Sequence, residues 1–464
     1  MKRICLISAL FLLIASVAQA QDWGGVGGGK HEGSGSTVKD LSGGAPQGTA
    51  RRSARRPVVR RASRNSAGTA RRTVRPNMSA EDYAGQGDDL LQAGKAAEAI
   101  AAYKQAVRLN PNYDDAYFGL GSAYSSLKQY TEAVAAYRQA TRANPAYPEA
   151  YYQLAWIYNE TGQYDDALVA IKQALSLKAD DAPSYDELGF AYKHLDRHTE
   201  AIAAYKQSLR LNPGNASSYF ALGDLYFYNA KQYRQAIETY RQGLAINPDN
   251  ADAYYNIGWA LNDLEDYEGA VTELNQALRH EASYALAYNE LGYAYNNLGR
   301  TPQAIESYSH AIRLDPNLGR AYIGLGDIYY KAKQYEQAIG PYREAIRLIP
   351  NDTRVLFNLG FSYNDLGRYA EALAPLQQAV RVKPELANAH NELGYTLKEL
   401  ERYLEAIASF KQAIRLEPDY ELPHYYLGLT YIALNDRQSA MNEYNALKSL
   451  NSEYAAKLYD SINQ

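Results

Sequence analysis

YFGLGSAYSSLKQYTEAVAAYRQATRANP, residues 117–145, decides how this chain folds. Tyr117, Leu120, Gly121 and Tyr124 stand at i, i+3, i+4 and i+7, the stripe of an amphipathic helix. A polar turn follows at 126–129, and Ala133, Tyr137 and Ala140 then make a second stripe. Asn144-Pro145 closes it, because proline lacks an N–H and restricts the residue before it. The stretch predicts two antiparallel helices of about 14 residues, each roughly 20 Å long at 1.5 Å per residue.

The same pattern returns outward from there in both directions. Pro111, Pro145, Pro213, Pro248, Pro316, Pro350, Pro384 and Pro418 fall 34 residues apart or at multiples of it, except for the 35-residue step from Pro213 to Pro248. Ala179 and Ala282 take the two interior places where proline is missing. The extra residue is expected in the turn near 228–231. Eleven units fill 77–451. Alanine holds one column in all of them: Ala99, Ala133, Ala167, Ala201, Ala236, Ala270, Ala304, Ala338, Ala372, Ala406 and Ala440. Glycine holds another in ten units, with Ala155 in the eleventh. Glycine costs a helix about 1 kcal/mol, so its recurrence implies a steric need. Tyr83, Tyr117, Tyr151, Tyr185, Tyr219, Tyr254, Tyr288 and Tyr322 form a column expected to fill the space between helices.

Composition agrees with one motif written many times. The length of 464 residues would allow about three ordinary domains, but 44 tyrosines against 8 phenylalanines point to repetition. A longer period lies on top: SYDELGFAY, AYNELGYAY and AHNELGYTL recur at every third unit, as do AYYQLAWIY, AYYNIGWAL and VLFNLGFSY. Three-unit blocks at 111–212, 213–315 and 316–417 imply a threefold internal duplication, so any groove chemistry should recur three times.

Tyr288, Leu291, Gly292, Tyr295, Ala304, Tyr308, Ala311 and Pro316 match residue by residue the pattern of the tetratricopeptide repeat, which this chain resembles over 77–451. The resemblance implies an all-α, right-handed α-solenoid of about eleven helix-turn-helix units. The first unit departs with Gln86 in the leucine column, and the last ends in Ser452 where proline would stand. Terminal units face solvent, so such departures are expected. Residues 452–464, with Tyr454, Leu458 and Ile462, are expected to form a capping helix.

In that family the first helix of each unit lines the concave face. The carry-over marks Tyr152, Trp156 and Asn159; Tyr255, Trp259 and Asn262; Phe357, Phe361 and Asn364. Neighbouring units add Phe190; Asn289, Tyr293 and Asn296; and Asn391 and Tyr395. Aromatics supply rigid apolar area, and asparagine can donate and accept toward a peptide main chain. The plainer alternative is that these aromatics only pack neighbouring units together. No cationic clamp for a carboxylate terminus stands out: Lys193, Lys331 and Lys398 are scattered, and Asp224 and Asp327 are acidic.

The head of the chain reads differently. MKRICLISALFLLIASVAQA has a basic start, an apolar run at 4–15 and Ala18-Gln19-Ala20, as a cleaved secretory signal over 1–20 requires. The run is shorter than the roughly 20 residues of a membrane-spanning helix. Residues 21–76 form a Gly/Ser-rich, then Arg-rich arm. Ten arginines and no acid lie in 51–76, so the arm is expected to be disordered. It would meet nucleic acid, an anionic lipid or lipopolysaccharide surface, or the acidic remainder of the chain, or serve as a spacer. A secretory signal weighs against nucleic acid. Gly24 to Lys30 imitates a phosphate-binding loop, but His31 stands where Ser or Thr should hold the magnesium.

Chemistry finds little footing. Cys5 is the only cysteine, which excludes disulfide frameworks and multi-cysteine metal sites. His194 and His198 have metal-ligand spacing, with no third ligand nearby in sequence. Pro341 and Pro375 fall inside second helices and predict kinks. No catalytic residue, cofactor, metal or small-molecule substrate is expected. The expectation is an exported protein-protein interaction scaffold, periplasmic or extracellular and associated with the cell envelope, that holds an extended peptide or a protein in its groove. The asparagines also resemble the repeat region of O-linked N-acetylglucosamine transferases. Those enzymes carry a large catalytic domain after the repeats, where this sequence has 13 residues.

Overall fold

The computed structural model describes residues 78–463. The expected signal sequence (1–20) and the expected arm (21–76) lie outside them. Among the described residues there are 23 α-helices and no strand. Twenty-two of them form eleven antiparallel pairs, numbered here as units 1–11, and the last is Tyr454–Asn463. None is long and apolar enough to cross a membrane.

The columns explain how the helices touch. All eleven column alanines are 0% exposed, so their small size sets the approach of the two helices of each unit. The glycine column answers a bulky residue on the second helix. A Cβ placed on Gly121 would lie 2.7 Å from the Tyr137 ring, and one on Gly292 would lie 2.8 Å from Tyr308. Unit 3 reverses both partners, with Ala155 where the glycine would be and Ile171 where the tyrosine would be. The last glycine, Gly428, faces Leu458 of the final helix, where a Cβ would lie 2.5 Å away.

The tyrosines fall out differently from expectation. The first-helix column is only half-buried at Tyr117, Tyr151 and Tyr288. It is the second-helix tyrosines, Tyr103, Tyr137, Tyr240 and Tyr342, that fill the interior. The second-helix ring points at glycine, the one residue that leaves room for it.

Every turn within a unit passes through one residue with positive φ, at Gly94, Lys128, Gly162, Asp196, Lys231, Glu265, Gly299, Lys333, Gly367, Glu401 and Asn435. This left-handed residue lets the chain close the first helix; the Gln129 N–H, for example, reaches back to the Tyr124 carbonyl at 2.9 Å. The extra residue of the 35-residue unit is not in that turn. It is absorbed one step earlier, where Ala216–Asp224 continues as a π-helical turn, Leu225–Asn229. The helices Tyr335–Leu348 and Tyr369–Val382 keep the usual 14 residues through Pro341 and Pro375.

Candidate functional site

Within a unit the helices pack side by side, but the units stack unequally. Successive first helices touch one another directly, as Pro148–Glu160 does with Ala182–His194, Ala251–Asp263 with Ala285–Asn297, and Thr353–Asp365 with Ala387–Glu399. Successive second helices show no comparable contact. The first helices therefore form the crowded, inner side of the stack.

Six half-buried aromatics recur there at one register: Trp156, Phe190, Trp259, Tyr293, Phe361 and Tyr395. Five of them meet the tyrosine that opens the second helix of the preceding unit, mostly edge to face. Trp156 lies 6.2 Å from Tyr130, Phe190 6.4 Å from Tyr164, Tyr293 6.2 Å from Tyr267, Phe361 5.8 Å from Tyr335 and Tyr395 5.9 Å from Tyr369. Trp259 makes the contact through Phe227 of the π turn, at 4.9 Å, which in turn lies 5.4 Å from Tyr233. These rings join neighbouring units and still keep part of their surface open. Phe357 is half-buried and packs on Phe361 at 6.2 Å. Tyr255 is withdrawn, at 6% exposure, against Tyr284. Tyr152 is half-buried, and its hydroxyl titrates well above the usual range because of burial and the nearby carboxylates of Glu187, Asp181 and Asp186.

The asparagines have other duties than the sequence suggested. Asn159, Asn262 and Asn364 are buried, and each donates its Nδ2–H to a glutamate of the next unit. The distances to the carboxylate are 2.7 Å to Glu187, 3.1 Å to Glu290 and 3.0 Å to Glu392. The same amides reach the backbone carbonyls of those glutamates at 3.1–3.2 Å. Asn289 and Asn391, also buried, donate to the second oxygens of Glu290 and Glu392. Their amide nitrogens are thus committed within the chain. Asn296 remains half-buried. The sequence offers the recurring pair Asn391-Glu392 as a groove or surface feature. In the structure Glu187 and Glu392 are half-buried and Glu290 is buried, each held by an asparagine of the preceding unit, and DELG and NELG at block spacing are the signal of the column.

These carboxylates sit in a poor solvent for charge. Burial, with Asp186 and Glu160 nearby, raises Glu187 to about 7 despite the Asn159 hydrogen bond. Burial likewise raises Glu392, Asp186 and Asp224. Asp224 and Asp327 accept hydrogen bonds from the interior tyrosines Tyr240 and Tyr342 at 2.8 and 2.7 Å. Lys193 lies 3.8 Å from Asp224, and Arg354 pairs with Asp327. His194 and His198 part company: His194 stacks on Tyr164 at 4.8 Å, while His198 bonds Asn229 at 3.1 Å.

Family models described as TPR repeat match residues 87–128, 195–230, 227–264, 258–299, 362–401 and 394–435. Two further tetratricopeptide repeat models match 126–188 and 283–351. Among solved structures, the chain is similar to YrrB, described as a TPR protein with an unusual peptide-binding site, at 26% identity; the match covers 40% of this chain and 96% of that one, with a TM-score of 0.38. MamA from Desulfovibrio magneticus RS-1 is 22% identical over 37% of this chain and 96% of its own, with a TM-score of 0.35. Yeast Tom70 is 16% identical over 83% of this chain and 95% of its own, also at 0.35. No curated protein matches the chain significantly.

Proposed function

The chain belongs to the tetratricopeptide repeat family, and from that premise we propose that it is an exported scaffold whose inner face holds extended peptides or partner proteins during cell-envelope assembly. That it is a protein-protein interaction scaffold follows from the repeats themselves. The inner face as the binding side rests on one observation: six aromatics at one register, each engaged between units yet partly open. Half-exposed aromatic rings in a row bring apolar area at low entropic cost, which is what anchors at protein interfaces need. Export and envelope association rest on the leader-like 1–20.

The test pairs affinity with stability. Cross-linking in the exported compartment, followed by mass spectrometry, identifies partners. Trp156→Ala combined with Trp259→Ala should then weaken partner binding by around 2 kcal/mol or more, the scale of an aromatic hot spot. A large drop in Tm with unchanged affinity would show that the tryptophans serve packing alone. A second contact is proposed for the ten arginines of 51–75, toward an anionic surface. Deleting 51–76 should abolish binding to anionic vesicles; equal binding without it would leave the segment a spacer.

A further inference from the structure

The three-unit period lets the chain be compared with itself. In the third block the inner-face site is complete. The Asn364 Oδ1 accepts from the Thr396 hydroxyl at 2.8 Å, and the Lys398 ammonium lies over the Tyr395 ring, 5.8 Å from its centre. The chain thus seats one of its own cations on a ring of this register. In the first block the same places are filled differently. Ala191 stands where Thr396 does, and the Lys398 equivalent, Lys193, turns to Asp224 at 3.8 Å.

What is left there is an acceptor-rich site. Asn159 is 4% exposed; its Nδ2 holds Glu187 at 2.7 Å, and its Oδ1 has no donor. A buried acceptor left without a donor shows that this part of the inner face is short of donors. Glu187 keeps part of its surface open, whereas Glu290 in the second block is sealed at 3% exposure. Trp156 is three residues before Asn159 and Phe190 three after Glu187, so an aromatic accompanies each polar group on the same helix face. His194 lies against Phe190 at 4.3 Å, on the side of the following turn. Asp186 beside Glu187 is held by Asn215 and Ser218 of the next unit. The charge balance over 77–464 is 34 Lys+Arg against 49 Asp+Glu.

We propose that the inner face takes extended segments bearing arginine or lysine, and that one such side chain docks at Glu187 between Trp156 and Phe190. A guanidinium brings five N–H donors and a flat face. It can serve the open lone pairs of Glu187 and lie over an aromatic as Lys398 does over Tyr395. The proposal rests on the inner face being the binding side.

The experiment uses the full chain and three short fluorescein-labelled peptides of one length, with arginine, glutamate or glutamine at alternate residues, followed by anisotropy. The arginine peptide should bind, more weakly at high salt. Glu187→Gln should cost about ten-fold in affinity, the scale of one charge-assisted hydrogen bond. Trp156→Ala should weaken it too, while Glu290→Gln, at a sealed site, should leave it unchanged. Glu187→Gln keeps the acceptor for Asn159, and a single cooperative melt with a Tm no lower than wild type at the assay pH confirms that the fold is intact. Arginine-peptide binding that ignores Glu187→Gln overturns the proposal, since general surface charge would then account for it. Preference for the glutamine peptide, sensitive to Trp156→Ala, also overturns it but leaves the peptide-binding face standing. Failure of all three peptides to bind overturns both.

Discussion

Thr396, Ala191 and Ala294 occupy one position in the three blocks, where threonine adds a hydroxyl and a methyl to what alanine offers. With threonine, Asn364 has its Oδ1 satisfied; with alanine, Asn159 and Asn262 do not. Ala294→Thr copies the third block into the second and should raise stability by about 0.5–1.5 kcal/mol, the net worth of one buried hydrogen bond. Thermal unfolding reads this out, and a lower Tm would mean that the helix contact has no room for the branched side chain. Glu187 makes a pH prediction. Burial pushes its carboxyl up to about 7 in the folded chain, from the 4.5 of a free glutamate. It therefore holds its proton more tightly folded than unfolded. Its contribution to stability is greatest below about 4.5 and declines as pH rises to about 7. Glu187→Gln cannot ionise, so its Tm relative to wild type should climb between those two pH values. A difference that stays flat with pH would disprove the burial of charge at this site.

At the scale of an element, a unit is a pair of helices whose separation is set by two matched positions. Gly292→Ala puts a Cβ into the Tyr308 ring and should cost about 1–3 kcal/mol by overpacking. Unit 3 already carries the smaller pairing, Ala155 with Ile171. Adding Tyr308→Ile should therefore recover part of the loss, seen as a favourable coupling in a double-mutant cycle from urea melts. The turns offer the opposite experiment. Glu265 sits at φ 63°, where glycine stands in four other units. Glu265→Gly should stabilise or be neutral despite the added chain entropy, because a side chain with a Cβ costs roughly 1–2 kcal/mol in the left-handed region. A drop in stability comparable to an ordinary mid-helix glycine would refute that reasoning.

The whole array is held by neighbours only, so damage should spread locally. Ala270 is 0% exposed in the middle of the stack, and Ala270→Leu should cost about 1–3 kcal/mol by overpacking. Leu458 closes the other end of the argument. It is fully buried and covers Gly428, so Leu458→Ala should cost about 2–5 kcal/mol in unit 11. Hydrogen exchange should rise in 421–463 and stay unchanged in units 1–8. Uniform loss of protection along the chain would show longer-range cooperativity than nearest-neighbour packing provides.

Much of this was legible in the amino-acid order alone. Proline every 34 residues, alanine in all eleven units and glycine in ten require helix pairs, because each residue type serves a backbone geometry or a steric limit that acts locally. The threefold block was legible for the same reason. The left-handed turn column was visible only where it is glycine, at four places; elsewhere lysine, aspartate, glutamate and asparagine conceal it. The place of the extra residue was misread by a few positions, since a helix can absorb one residue as a π turn without any change in composition. What only the tertiary structure decided is what the inner-face polar residues do. Asn159 and Glu187 are 28 residues apart, and nothing local couples them. The stacking of one first helix on the next brings them to 2.7 Å, buries the asparagine, and turns a side chain that could have met a peptide into the holder of a half-buried carboxylate.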